Sequence, residues 1–82
     1  MNVILPAGEP VDLYDESGIT PGTQIAVQNI AGNDVRVSLT EAGVGTDYNV
    51  LGPYASITSA SAPAGQWAMC VAGGAVNVQE VV

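Results

Sequence analysis

At 82 residues the chain has room for one domain, and folding at that size buries only roughly 60% of the surface of the extended chain, so the core is thin. Eight acids stand against a single cation, Arg36, with no lysine and no histidine, for a net charge of −7; this excludes phosphate neutralisation, hence nucleic acid as a partner, and disfavours anionic membranes. With 48% hydrophobic and only 11% charged residues the composition is that of a folded domain, not a disordered one.

In chain order, Met1-Asn2-Val3-Ile4-Leu5-Pro6 has no basic n-region and its apolar run breaks at Pro6, so no signal peptide is expected, and residues 1–10 read as an N-terminal arm or short edge strand. No stretch approaches the roughly 20 apolar residues of a membrane span. Val11-Asp12-Leu13-Tyr14 alternates weakly, and Asp15 to Gly22 reads as a loop with Pro21-Gly22 as a turn dipeptide. Thr23 to Ile30 puts Ile25 and Val27 on one face and Gln24 and Gln28 on the other. Ala31-Gly32-Asn33-Asp34 is turn chemistry. Val35 to Thr40 then sets Val35, Val37 and Leu39 opposite Arg36, Ser38 and Thr40. Two alternating runs around a short polar turn predict a β-hairpin, with Arg36 outward and paired to a carboxylate of a neighbouring strand or subunit.

Glu41 to Asp47 is a glycine-bearing loop, and Tyr48 to Leu51 a short strand stopped by Gly52-Pro53. Tyr54 to Ser61 predicts an edge strand, Ala62-Pro63-Ala64-Gly65 a turn, and Gln66 to Val71 a strand with Trp67, Met69 and Val71 on one face. After Gly73-Gly74, Ala75 to Val82 closes the fold with Val76 and Val78 inward. The expected fold is all-β: a small antiparallel β-sandwich or barrel of about six to seven short strands, one domain over residues 1–82.

The chemical inventory is poor, and no enzyme is expected. Without histidine or lysine the usual general bases are missing. Cys70 sits between Met69 and Val71, far from the cationic setting that activates a thiolate, and reads as a small packing residue; as the lone cysteine it forms no internal disulfide. Asp12, Asp15 and Glu16 cluster, but their spacing matches no EF-hand loop, so neither metal nor other cofactor is expected. Trp67 reads as core packing, whereas Tyr54, beside Gly52-Pro53, is open to an interface role.

The run Trp67-Ala68-Met69-Cys70-Val71-Ala72 is apolar on both faces, so the Ala68 and Cys70 side also needs cover. A second subunit or docking partner would supply it, which makes Tyr54, Ala68 and Cys70 the interface candidates and a homo-oligomer, dimer or trimer, the expected state.

The order GTQIAVQN, a turn, VRVSLTEA, a Gly-Pro punctuated stretch, GQWAMCVAGG and a final AVNVQEV resembles small virion proteins of tailed bacteriophages, over roughly Thr23 to Val82. The resemblance implies a compact β-domain of the capsid decoration (cement) or head-fibre type, assembled in the host cytoplasm and working in the virion on other capsid or tail structural proteins. A tail or baseplate fibre adaptor, or a carbohydrate- or receptor-binding module using the tyrosines, are the alternatives. The resemblance carries no catalytic or binding residues.

Overall fold

The alternation of the sequence folds into two four-stranded antiparallel sheets around a shared apolar core. The computed structural model describes residues 1–59 and 63–81. The first sheet contains β1 (Asn2–Leu5), β8 (Gly74–Glu80), β3 (Ile25–Asn29) and β6 (Ser56–Thr58), in that order. The second runs β2 (Val11–Asp12), β7 (Trp67–Met69), β4 (Val35–Ser38) and β5 (Asn49–Leu51). The all-β sandwich expected from the sequence is therefore present, with eight strands among the described residues where six to seven were expected. Residues 2–5 form the short edge strand, laid against β8. Ala60 and Ser61 of the expected edge strand, Ala62 of the following turn, and Val82 lie outside the described residues.

β3 and β4 do not form the expected hairpin. β3 pairs with β6 and β8, β4 pairs with β5 and β7, and the connection at 30–34 arches from one sheet to the other. Alternation alone reports that Ile25, Val27, Val35 and Val37 share a core, and all four are fully buried or nearly so; strands in opposite sheets satisfy that pattern as well as paired strands do. Asn29, buried at the foot of the arch, holds it together. Its Nδ2 donates to the carbonyls of Asn33 (2.7 Å) and Leu51 (3.0 Å), and its Oδ1 accepts from the Ala31 N–H (3.0 Å). Among the described residues, the only chain-adjacent strands that pair are β4 and β5, joined through residues 39–48.

Two short helical segments replace expected loops. α1 (Leu13–Ser17) starts at Asp12, whose carboxylate accepts from the N–H groups of Tyr14 and Asp15, carries Asp15 and Glu16 in its first turn, and stops at Gly18 with φ of 74°. An acidic N-cap, acids at the positive helix end and a left-handed glycine are sufficient to nucleate one turn. Burial of Leu13 and Tyr14 then anchors it, and the Tyr14 hydroxyl donates to the Thr23 carbonyl at 2.6 Å. α2 (Gly43–Thr46) packs on β4 and β7 so closely that a Cβ at Gly43 would collide with the Ser38 side chain.

β7 carries the largest correction. Ala68 lies opposite Val11 and Val37, both inward, so the register turns Ala68 and Cys70 into the core and Trp67 and Met69 outward. Trp67 is half-buried on the outer surface, not packed in the core, and Val71 is 60% exposed. The outer side of β7 is covered by α2: Met69 and Val44 are both buried, yet outside the central cluster. Leu39, expected inward, lies one residue past the end of β4 and is exposed.

Candidate functional site

The three interface candidates occupy two unlike places. Ala68 and Cys70 are 0% exposed within the single chain. Cys70 Sγ lies so near Gly74 that a Cβ there would stand 3.2 Å from it, and a contact with a second subunit through these two residues has no surface to use. The cover that an apolar two-faced strand requires comes from inside the fold, from the opposite sheet on one side and from α2 on the other.

Tyr54 is 68% exposed and has φ of 63°, the one positive φ outside glycine among the described residues. It is the third residue of a Gly52-Pro53-Tyr54-Ala55 turn closed by the Ala55 N–H donating to the Gly52 carbonyl at 3.1 Å. That position of a type II turn favours Gly or Asn, and a bulky aromatic there is strained. The Tyr54 carbonyl is held by the Gln28 side-chain amide at 3.1 Å, which fixes the turn against the first sheet.

The outer face of the second sheet collects the exposed apolar side chains that sequence reasoning did not single out. Val50 lies opposite Arg36, which lies opposite Met69, so one cross-strand row reads Val50–Arg36–Met69. Tyr48 and Val71 flank the row, and with Asn33, Asp34 and Ala72 they line a shallow depression of about 340 Å3. Val50 and Val71 are each 60% exposed. Arg36 does point outward as expected; within the chain its guanidinium meets the Tyr48 ring, 4.4 Å from the centroid, and the Val44 carbonyl at 3.5 Å, and no carboxylate of a neighbouring strand pairs with it among the described residues. Such a cation–π contact contributes about 0.5–1 kcal/mol at an exposed site, and it holds the chain's only basic side chain inside an apolar patch.

The outer face of the first sheet has a different chemistry. Its cross-strand row Asn2–Asn77–Gln28–Ser56 is uncharged and amide-rich, with the Asn77 amide donating to Asn2 Oδ1 at 2.8 Å. The tyrosines do not make a shared platform: Tyr14 is buried, one face of Tyr48 is taken by Arg36, and Tyr54 sits on its own turn. Burial pushes the Tyr14 phenol above its ordinary value of 10.0; the Ser59 hydroxyl pulls it back somewhat and the Asp12 carboxylate raises it further. Among the described residues no buried side-chain polar atom lacks a hydrogen bond, and no three His, Cys, Asp or Glu side chains converge as a metal ion would require. No helix among them is long and apolar enough to cross a membrane.

No protein-family model matches the chain, and no curated protein or solved structure matches it either.

Proposed function

We propose that the chain is a non-enzymatic structural protein of a tailed-phage virion, of the capsid decoration or head-fibre type, that self-associates and docks on other virion subunits through the outer face of its second sheet. The observation that carries this reading is the patch of Tyr48, Val50 and Val71 around the sole cation, Arg36. Copies of a chain with net charge −7 repel one another, so association is cheapest where the local charge is balanced. On this face Arg36 is offset by Asp34, whereas Glu9, Asp12, Asp15 and Glu16 lie together along a different groove. The first sheet's outer face is equally free of net charge, but its amides are hydrated and return less on burial than exposed valines do. An ordinary interface takes about 800 Å2 per partner, close to a fifth of the 4298 Å2 that this chain exposes, a large gain for so thin a core.

The sequence order from Thr23 to Val82 supplies the virion part of the reading, and a small β-sandwich is compatible with it. Sedimentation velocity at micromolar concentration tests the association. The expected result is a dimer or trimer that Val50→Glu or Val71→Glu converts to a folded monomer. A wild-type chain that stays monomeric and does not bind capsid or tail particles refutes the proposal. Cryo-electron microscopy of the parent particle would then locate the copies.

A further inference from the structure

β1 is an edge strand, and no described strand pairs with its open side. The Met1 amine donates to the Val78 carbonyl at 2.7 Å and the Val78 N–H donates to the Met1 carbonyl at 2.8 Å, so Met1 and Val78 are a hydrogen-bonded pair. Alternation along the antiparallel ladder makes Val3 with Val76, and Leu5 with Gly74, the next such pairs. The N–H and C=O groups of Asn2 and Ile4 therefore point away from β8, toward solvent, and Ile4 is 71% exposed. A row of free backbone donors and acceptors is a template for one more strand.

Beside that edge runs a groove of about 610 Å3, with β1 on one wall and β2 and α1 on the other. Half-buried Trp67 lines it, and so do the carboxylates of Glu9, Asp12, Asp15 and Glu16. Asp12 is engaged in capping α1. The other three carboxylates make no hydrogen bond or ion pair among the described residues, where the only basic side chain, Arg36, is on the face of the second sheet. The acids are strung along the wall and do not converge on a point, which suits a chain of spaced positive charges and not a single metal ion.

We propose that this groove receives an extended, basic segment of a partner protein, which adds to β1 as an outer strand of the first sheet. The free groups of Asn2 and Ile4 supply the main-chain hydrogen bonds, Glu9, Asp15 and Glu16 receive alternate Lys or Arg side chains, and Trp67 packs against their aliphatic stems. Pro6, just past β1, limits the added strand to the span of residues 2–5. The site is separate from the face used for self-association, so each stands or falls without the other.

The test uses the full chain and a blocked heptapeptide of alternating lysine and valine, with Trp67, the only tryptophan, as the fluorescent reporter. Saturable binding is expected, weakening severalfold as salt rises from about 0.05 to 0.5 M. N-methylation of one alternate set of peptide nitrogens is expected to raise the dissociation constant about tenfold, the worth of two ordinary hydrogen bonds, while methylation of the other set leaves it within about twofold. Ile4→Pro removes an N–H that β8 does not use, so the variant is expected to keep its circular dichroism and bind about threefold more weakly, the worth of one hydrogen bond. Asp15→Asn with Glu16→Gln is expected to weaken binding roughly threefold to tenfold. No binding, equal affinity for the two methylated peptides, or displacement by spermine at equal charge concentration overturns strand addition.

Discussion

Asn29 is where a single side chain holds the arch together, and Asn29→Ala should be among the most damaging substitutions in the chain. The change removes three hydrogen bonds at once: two donated by Nδ2, to Asn33 and Leu51, and one accepted by Oδ1 from the Ala31 N–H. The bond to Leu51 is buried, but that carbonyl also accepts from the Val35 N–H across the β4–β5 pair, so the loss is that of one hydrogen bond, about 0.5–1.5 kcal/mol. The bonds at Asn33 and Ala31 are partly exposed, and water replaces part of what is lost, leaving about 0.5–1 kcal/mol each. The total is about 1.5–3.5 kcal/mol, against a stability on the order of 4–12 kcal/mol for a domain of this length. Urea unfolding followed by Trp67 fluorescence measures it directly: the midpoint should fall in proportion to that loss, with the slope unchanged. Asn29→Asp should be worse than Ala near neutrality, because a carboxylate would face two carbonyl oxygens, and it should recover partly on acidification as that carboxylate protonates. A loss below about 1 kcal/mol in Asn29→Ala would mean that the arch is set by strand packing and not by this side chain.

Three further outcomes follow from individual environments. The raised pKa of Tyr14 means that the folded state holds the phenol protonated more strongly than the unfolded state does; that stability is full below pH 10 and is lost as pH rises through the folded value, so unfolding should become easier above pH 10 in the wild type and lose most of this dependence in Tyr14→Phe, read by urea titrations across that range. Tyr54→Asn relieves a strained positive φ without the entropy cost of glycine and should stabilise the free chain by about 0.5–1 kcal/mol, visible as a higher melting temperature; an unchanged or lower one would show that the exposed ring contributes packing. Cys70, enclosed in the core, should react with a thiol reagent only as fast as the domain opens, and Cys70→Asp should unfold the monomer instead of merely dissociating an assembly; rapid labelling of the folded chain would contradict the burial.

The sequence by itself determined the class of the fold. Period-two alternation in 25–29 and 35–38, the inward pair Val76 and Val78, and the turns at Gly52-Pro53 and Gly73 are local properties found where the pattern places them, although Gly74 already belongs to β8. The helical turn α1 was also legible, in the spacing of Asp12, Asp15, Glu16 and Gly18, although weak strand alternation at 11–14 masked it.

Which strands pair was not legible. Alternation states which side of a strand is apolar and is silent about which sheet the strand joins, so the run from β3 to β4 fits a hairpin and an arch equally, until Asn29 bonds to Leu51, 22 residues away. The same limit explains β7. With apolar residues on both faces, only its register against Val11 and Val37 decides that Ala68 and Cys70 point inward, and only the docking of α2 decides that Met69 is covered. The exposed patch and the open edge of β1 belong to this second kind of information. Val50, Val71, Tyr48 and Arg36 are neighbours because β4 pairs with β5 and the chain returns through β7, and the groove exists because β1 and β2 are the edges of different sheets. Surfaces made from residues distant in the chain follow from long-range pairing, which no local period encodes.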